Sequence, residues 1–201
     1  MSLLHNISKL DGIKLSRDKD ERVIRDDNWV RGLNEGDKKA FESIYKCYYS
    51  QLYHFLLRYS GSDAVIEDII QQVFFKIWQN REKIEPRGTL KSYLFTAVRN
   101  QALKQIEFDK RLCGVDAELL NDSAVYQINP EDSIQLKELE EAYQAAVAKL
   151  PEKRRHIFLM HRQDNLTYKE IAAVLNISVK TVETQISRSL KYLACSLARF
   201  I

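Results

Sequence analysis

The chain has 201 residues, 45% of them hydrophobic and 29% charged, with a formal net charge of +3. That balance is the composition of a helix-rich globular protein of one large or two small domains. A charge so mild argues against a chain that holds nucleic acid tightly on its own, because phosphate contacts supply most of such affinity.

No apolar run is long enough to span a membrane, and MSLLHNISKLDGIKLSRDKDER has no apolar stretch of signal-peptide length, so the chain is expected to be cytoplasmic. Cys47, Cys113 and Cys195 are odd in number and lack C-x-x-C spacing, which argues against a disulfide framework. With His5, His54, His156 and His161 scattered, no zinc site is expected.

Residues 1–27 are polar and weakly periodic and read as a flexible N-terminal extension. A short helix is expected around Trp29 to Asn34, ended by Gly36. Asp37 can cap the next helix, where Phe41, Ile44, Tyr45, Tyr48, Leu52, Phe55, Leu56 and Tyr59 recur in steps of three and four. Gly61 stops it, and Ser62 or Asp63 can cap a second helix that turns Ile66, Ile69, Ile70, Val73, Phe74, Ile77 and Trp78 inward. Its other face carries Glu67, Asp68, Gln71, Gln72 and Gln79, with the apolar Phe75 among them. The loop from Asn80 to Gly88 holds Arg81, Lys83, Arg87 and the helix-breaking Pro86. A third helix runs from Thr89 through Leu90, Tyr93, Leu94, Ala97 and Val98 to about Glu107.

Periodicity fades between Asp109 and Pro130, the pattern of an interdomain linker. From Cys113 to Ala146 about eight acids face one lysine, whereas Lys149 to Arg199 sums to about +6. An acidic spacer before a basic module suggests a segment that stays off nucleic acid and one that goes onto it. Helix returns at about Asp132, with Leu136, Leu139, Tyr143, Ala146 and Leu150 at helical spacing. Pro151 suits the first position of a helix over Glu152 to Arg162, which offers Ile157, Phe158 and Met160 to the core.

The most informative stretch is LTYKEIAAVLNISVKTVETQISRSLKYL. Thr167 and Glu170 have capping-box spacing, and Leu166 and Ile171 can close a hydrophobic staple. Asn176 stands where a turn needs positive φ, and Ser178 can cap the following helix. Val182, Ile186 and Leu190 are expected on its buried side, leaving Lys180, Thr181, Thr184, Gln185, Arg188 and Lys191 on other faces. Two short capped helices with an outward row of Lys, Arg, Thr and Gln suit major-groove reading. The bland alternative is an αα-hairpin with a merely solvated polar face. The expected fold class is all-α: two small helical domains joined by a linker, the C-terminal one containing the helix-turn-helix. The boundaries are an extension over 1–27, a first domain over 28–108, a linker over 109–131 and a second domain over 132–201.

In this order the features resemble a group 4 (extracytoplasmic-function) sigma factor of the sigma-70 type. GDKKAFESIYKCYY resembles the start of the first conserved sigma domain, and IEDIIQQVFFKIWQN its polymerase-binding helix. TLKSYLFTAVRNQALKQI resembles the segment that opens and reads the −10 element. KLPEKRRHIFLMHRQDNLTYKEIAAVLNISVKTVETQISRSLKYL is similar to the domain that reads the −35 element. Together these cover most of residues 36–195.

The resemblance implies a non-enzymatic factor that directs bacterial RNA polymerase core to promoter DNA, with neither catalytic residues nor cofactor nor metal. It implies polymerase contacts at Asp68, Gln71, Gln72, Phe75 and Gln79, with Trp78 in the core. For the single-stranded −10 element it implies Arg81, Lys83, Arg87, Lys91, Tyr93, Arg99, Asn100 and Lys104, with the Asn100 amide on an extruded base; stacking and backbone cations are what such a strand requires. For the duplex −35 element it implies Lys169, Ser178, Lys180, Thr181, Thr184, Arg188 and Lys191, with Lys153 and Arg154 as further phosphate contacts. Where several family members place Arg, this chain has Glu183, which can accept from a cytosine or only orient Lys180 or Arg188. Family members are commonly held inactive by an anti-sigma factor, so such a partner is implied too. ISVKTVETQISRSL also resembles the output helix-turn-helix of response-regulator activators, which bind duplex DNA as dimers, but those carry an α/β receiver where this chain offers helices. An enzyme is the third possibility, and no phosphate loop, nucleophile elbow or acid/base pair supports it.

Overall fold

The computed structural model describes residues 21–113 and 134–198, all helix and connecting turns with no strand among them. Helix α1 occupies residues 21–34. It is followed by α2 (Lys38–Leu56), α3 (Asp63–Gln79), a 3₁₀ turn over Arg81–Lys83 and α4 (Leu90–Cys113). The second set is α5 (Ile134–Ala148), α6 (Glu152–Arg162), α7 (Tyr168–Leu175) and α8 (Val179–Ser196). Helices α2, α3 and α4 pack on one another, as do α5 to α8, and α4 also lies against α7. No helix among the described residues is long and apolar enough to cross a membrane.

Local signals explain most element ends. Asp37 caps α2 by accepting from the Lys39 N–H at 2.8 Å. Gly36, at φ 84°, lets the chain leave α1 in the left-handed region. Thr89 caps α4 by accepting from the Ser92 N–H at 3.1 Å. Ser62 stands at the start of α3 without a side-chain cap. Asp63 instead accepts from the Tyr53 hydroxyl at 2.6 Å, tying α3 to α2. Phe41 sits edge-on to Phe74 and Trp78, at 5.8 and 5.1 Å between ring centroids. Ile44, Tyr48, Leu52 and Phe55 are buried to 1% exposure or less, each such side chain contributing about 1.5–3 kcal/mol.

In the second set, Thr167 and Glu170 form the expected capping box, and Leu166 and Ile171 are both buried beside it. Asn176 ends α7 in the left-handed conformation, φ 55° and ψ 49°, and Ser178 caps α8 by accepting from the Thr181 N–H at 3.0 Å. Because Asn176 is exposed, its role is confined to the backbone. Asn176→Val is expected to lower thermal stability by about 1–2 kcal/mol, the penalty for a β-branched side chain in a region that asparagine tolerates, while Asn176→Gly stays near wild type. Thermal unfolding followed by circular dichroism measures both.

Several expectations need correction. The segment read as a flexible extension is helical from residue 21, and Asp26 is buried where the Tyr48 hydroxyl donates to it. The polar pattern of residues 21–27 hid this, because the partners are charged or phenolic rather than apolar. Helix α4 runs on to Cys113, so the linker does not begin at 109. Residues 1–20 and 114–133, which include most of the expected linker and the first two residues of the expected second domain, lie outside the described residues. Pro151 is the residue before α6 rather than its first turn, at φ −52° and ψ 137°. In α8, Leu190 is 55% exposed, and the buried positions are Val182, Ile186, Ser189 and Leu193. At about 100° per residue, position 190 swings about 80° from Val182, whereas 189 and 193 stay within about 20°.

The two bundles pack against each other: their buried residues form one continuous cluster. Arg58, at the end of α2, forms a buried ion pair with Asp164, between α6 and α7. Lys91 donates to the backbone oxygens of Asp164 and Asn165 at 2.5 and 3.3 Å. The Tyr59 hydroxyl meets His156 Nε2 at 2.9 Å. Glu170 accepts from Thr89 at 2.7 Å and from Arg22 of α1 at 2.8 Å, besides its capping-box bonds.

Candidate functional site

Three surfaces carry the predicted side chains. The first is the outer face of α3. Its inner positions are apolar and buried, so helical geometry turns Asp68, Gln71, Phe75 and Gln79 to solvent. Phe75 is 61% exposed, a large aromatic among polar groups. Gln72 is half-buried and donates to Asp68 at 2.6 Å while accepting from Gln101 of α4 at 2.7 Å. Trp78 turns inward against Phe41, with the Arg81 guanidinium over its ring at 4.9 Å. A protruding aromatic ringed by donors and acceptors suits an anchor at a protein–protein contact.

The second surface is on α4. Tyr93, Asn100 and Lys104, spaced so as to share one helix face, line a cavity of about 210 Å³ with Lys76, Asn80 and Gln101. Tyr93 is half-buried at this cavity, Asn100 offers an exposed amide and Lys104 an exposed cation. That is a set able to take one planar, polar ring and the charge that follows it. Arg81, Lys83 and Arg87 lie on the connection between α3 and α4, the last two exposed.

Two predicted members of this set are elsewhere. Lys91 is 2% exposed and spends its ammonium group on the Asp164 and Asn165 carbonyls, so it does not face a strand in this arrangement. Burial lowers its pKa to about 8 against the partly compensating carboxylates of Glu170 and Asp164. Arg99, one residue before Asn100 but about 100° around the helix, faces Tyr59 and His156 of the junction instead.

The third surface is α8 with the start of α7. Lys169, Ser178, Lys180, Thr181, Arg188 and Lys191 are exposed and Thr184 is half-buried, its hydroxyl donating to the Lys180 carbonyl at 2.9 Å. Glu183 accepts from Lys180 at 3.4 Å, a solvent-exposed pair of little energetic weight that nonetheless matches an orienting role. Lys153 is exposed, whereas Arg154 is half-buried and donates to the Gln185 side chain at 3.2 Å, bracing α6 against α8.

Sequence reasoning missed the junction residues Arg58, Tyr59, His156 and Asp164. The run FLLRY carried the one available signal, an arginine set among apolar positions and therefore in need of a buried partner. At the same junction, burial foremost and then the charges of Arg58 and Arg99 push the His156 pKa down to about 3. Its ordinary value is about 6.5, so between those limits the opened chain binds the extra proton. The closed arrangement is therefore fully favoured by this group above about pH 6.5 and loses up to about tenfold in its closed-to-open ratio per pH unit on acidification towards 3. Small-angle scattering across that range is expected to report progressive opening, and His156→Gln to blunt it.

A family model matches each of the two bundles. A model described as Sigma-70 region 2 matches residues 44–111, and one described as Sigma-70, region 4 matches residues 140–193. The ECF RNA polymerase sigma factor SigW of Bacillus subtilis (strain 168) is 28% identical over 167 residues, covering 79% of this chain and 89% of that protein. The ECF RNA polymerase sigma-E factor of Escherichia coli (strain K12) is 26% identical over 174 residues, covering 83% and 91%. Among solved structures, CnrH in complex with the cytosolic domain of CnrY has a TM-score of 0.57 at 19% identity, covering 87% of this chain and 98% of that one. The sigma factor RpoE in complex with the anti-sigma factor NepR from Bartonella quintana has a TM-score of 0.57 at 22% identity, covering 80% and 98%. The structural likenesses, at such identities, speak for the fold.

Proposed function

The chain belongs to the extracytoplasmic-function branch of the sigma-70 type RNA polymerase sigma factors, and from that premise we propose how its parts divide the work of initiation. It directs bacterial RNA polymerase to specific promoters. The outer face of α3, with Phe75 as anchor and Asp68, Gln71, Gln72 and Gln79 around it, grips the polymerase core. The α4 cavity takes an extruded base of the −10 strand, with Asn100 bonding its edge, Tyr93 stacking, and Lys104, Arg81, Lys83 and Arg87 along the backbone. Helix α8 reads the −35 duplex through Lys180, Thr181, Thr184 and Arg188, with Lys169, Ser178 and Lys191 on phosphates. The first module takes in the helices of residues 21–113 and the second those from Ile134 onward. Polymerase performs the synthesis, the chain itself catalyses nothing, and it acts in the cytoplasm. An anti-sigma factor, the kind of partner bound to the solved RpoE relative, is the expected inhibitor.

The observation that supports this division best is that one chain carries two unlike features, a cavity of about 210 Å³ lined by Tyr93, Asn100 and Lys104, and a capped helix with an exposed polar face. A dimeric activator would need only the second, and its receiver domain has no counterpart in the strand-free residues 21–113. The two elements are named for positions about 25 base pairs apart, about 85 Å along B-form DNA. A compact chain of this length is about 45 Å across, so the bundles must separate on a promoter, which also frees Lys91. Purified chain with core polymerase should start transcription at defined sites mapped by sequencing the transcripts. Failure on every genomic promoter fragment counts against the reading.

Arg188 is exposed on α8. Arg188→Ala is expected to weaken −35 recognition by the holoenzyme about 10- to 100-fold, the worth of one base contact, without moving the melting temperature. Binding to wild-type and −35-substituted promoters measures it; equal loss on both would demote Arg188 to a phosphate contact.

A further inference from the structure

Between the bundles lies a cavity of about 430 Å³ with walls from both, a volume within the range of small-molecule sites. Leu103 of α4 lines it together with Ile157, Leu175 and Ile177 of the second bundle. Its floor is polar. His156, 8% exposed, lines it and has no hydrogen-bond partner at Nδ1 among the described residues, and the buried Nε of Arg99 has none either.

The Tyr59 hydroxyl lies 2.9 Å from His156 Nε2, so the ring is held at that nitrogen and Nδ1 is left to the cavity. A neutral imidazole that accepts at Nε2 carries its own proton at Nδ1. His156 Nδ1 and the Arg99 Nε–H, which can only donate, are therefore two buried polar atoms without partners among the apolar lining, an arrangement that is costly unless a bound group completes it. At the mouth, Lys153 and Glu152 are both exposed. With His156 neutral, the lining carries two cations against one carboxylate, which matches one negative charge rather than the two of a phosphate monoester.

We propose that this junction cavity binds a small monocarboxylate with an aryl or short acyl body, its carboxylate on Arg99 and His156 and its body against Leu103, Ile157, Leu175 and Ile177. Because the walls belong to both bundles, occupancy holds them together. Thr181, a predicted −35 reader, also lines the cavity, so the ligand and promoter duplex compete for the chain. The competition rests on the proposed −35 role of α8, whereas binding of the ligand itself does not.

The test is calorimetry on the full chain with 1-naphthoate, alongside uncharged 1-naphthylmethanol and cationic 1-naphthylmethylamine. Naphthoate is expected to bind one per chain, at least about tenfold more tightly than the alcohol, with the amine weakest. Leu103→Trp, which fills the slot, should abolish binding, and Arg99→Met should bring naphthoate down to the level of the alcohol. Both variants are first checked for wild-type helicity by circular dichroism. Amide chemical shifts at Leu103 and Ile157 should move with naphthoate in the wild type alone. Equal binding of acid and alcohol to the wild type overturns the proposal whatever the variants do. So does saturable naphthoate binding that survives in a folded Leu103→Trp chain, or none at millimolar naphthoate.

Discussion

Phe75→Ala is expected to weaken binding to core RNA polymerase by about 30-fold or more while leaving the melting temperature unchanged. The factor follows from truncating an aromatic anchor at the centre of a contact, which costs about 2 kcal/mol or more, with each 1.4 kcal/mol a factor of ten. Stability is spared because the ring is 61% exposed and packs on nothing that the fold requires. Trp78 gives the contrast three residues on. It is half-buried, with Phe41 at 5.1 Å and Arg81 over its face, so Trp78→Ala is expected to lower stability first and binding only through it. Titration of labelled chain with core polymerase, beside a thermal melt, separates the two. Wild-type affinity in the Phe75 variant would move the grip to another surface.

Asp164→Ala is expected to open the molecule rather than unfold it. Removing one member of a buried ion pair costs about 3–5 kcal/mol when the remaining charge stays buried. Arg58 has an escape, because its partner belongs to the other bundle and separation returns its guanidinium to water. The loss is therefore capped by the free energy that holds the bundles together, and the closed arrangement gives way. Lys91 is freed in the same event, since it is held by the carbonyls of Asp164 and Asn165. Small-angle scattering should show the radius of gyration rising from the about 17 Å of a compact chain of this length. Helicity should persist, and free-chain affinity for promoter DNA should increase. Unchanged scattering with cooperative loss of helicity would mean that the pair supports the fold of a single unit and gates nothing.

The same distinction separates what could be read in the residues from what could not. The capping box at Thr167 and Glu170, the turn at Asn176 and the cap at Ser178 were legible because each is an exchange between groups at most three residues apart. The inward faces of α2 and α3 were legible because helical geometry repeats every 3.6 residues and apolar side chains follow it. The exposed Phe75 follows from the same wheel, as the one aromatic on a polar side. Leu190 was misplaced because its spacing fits one turn while the drift over three turns favours Ser189 and Leu193.

By itself, then, the sequence determined most of the helices, the caps at Asp37, Thr167 and Ser178, the helix-turn-helix, and which face of α3 meets solvent. The tertiary structure alone decided that the two bundles share a core, that Lys91 is spent within the protein, and that Arg99 faces a cavity rather than Asn100's side of α4. The reason is range. The Arg58–Asp164 pair joins residues 106 apart and the Tyr59–His156 bond residues 97 apart. No periodic pattern encodes separations of that size, and a charge that will be buried looks, in a string of letters, like one that will be solvated.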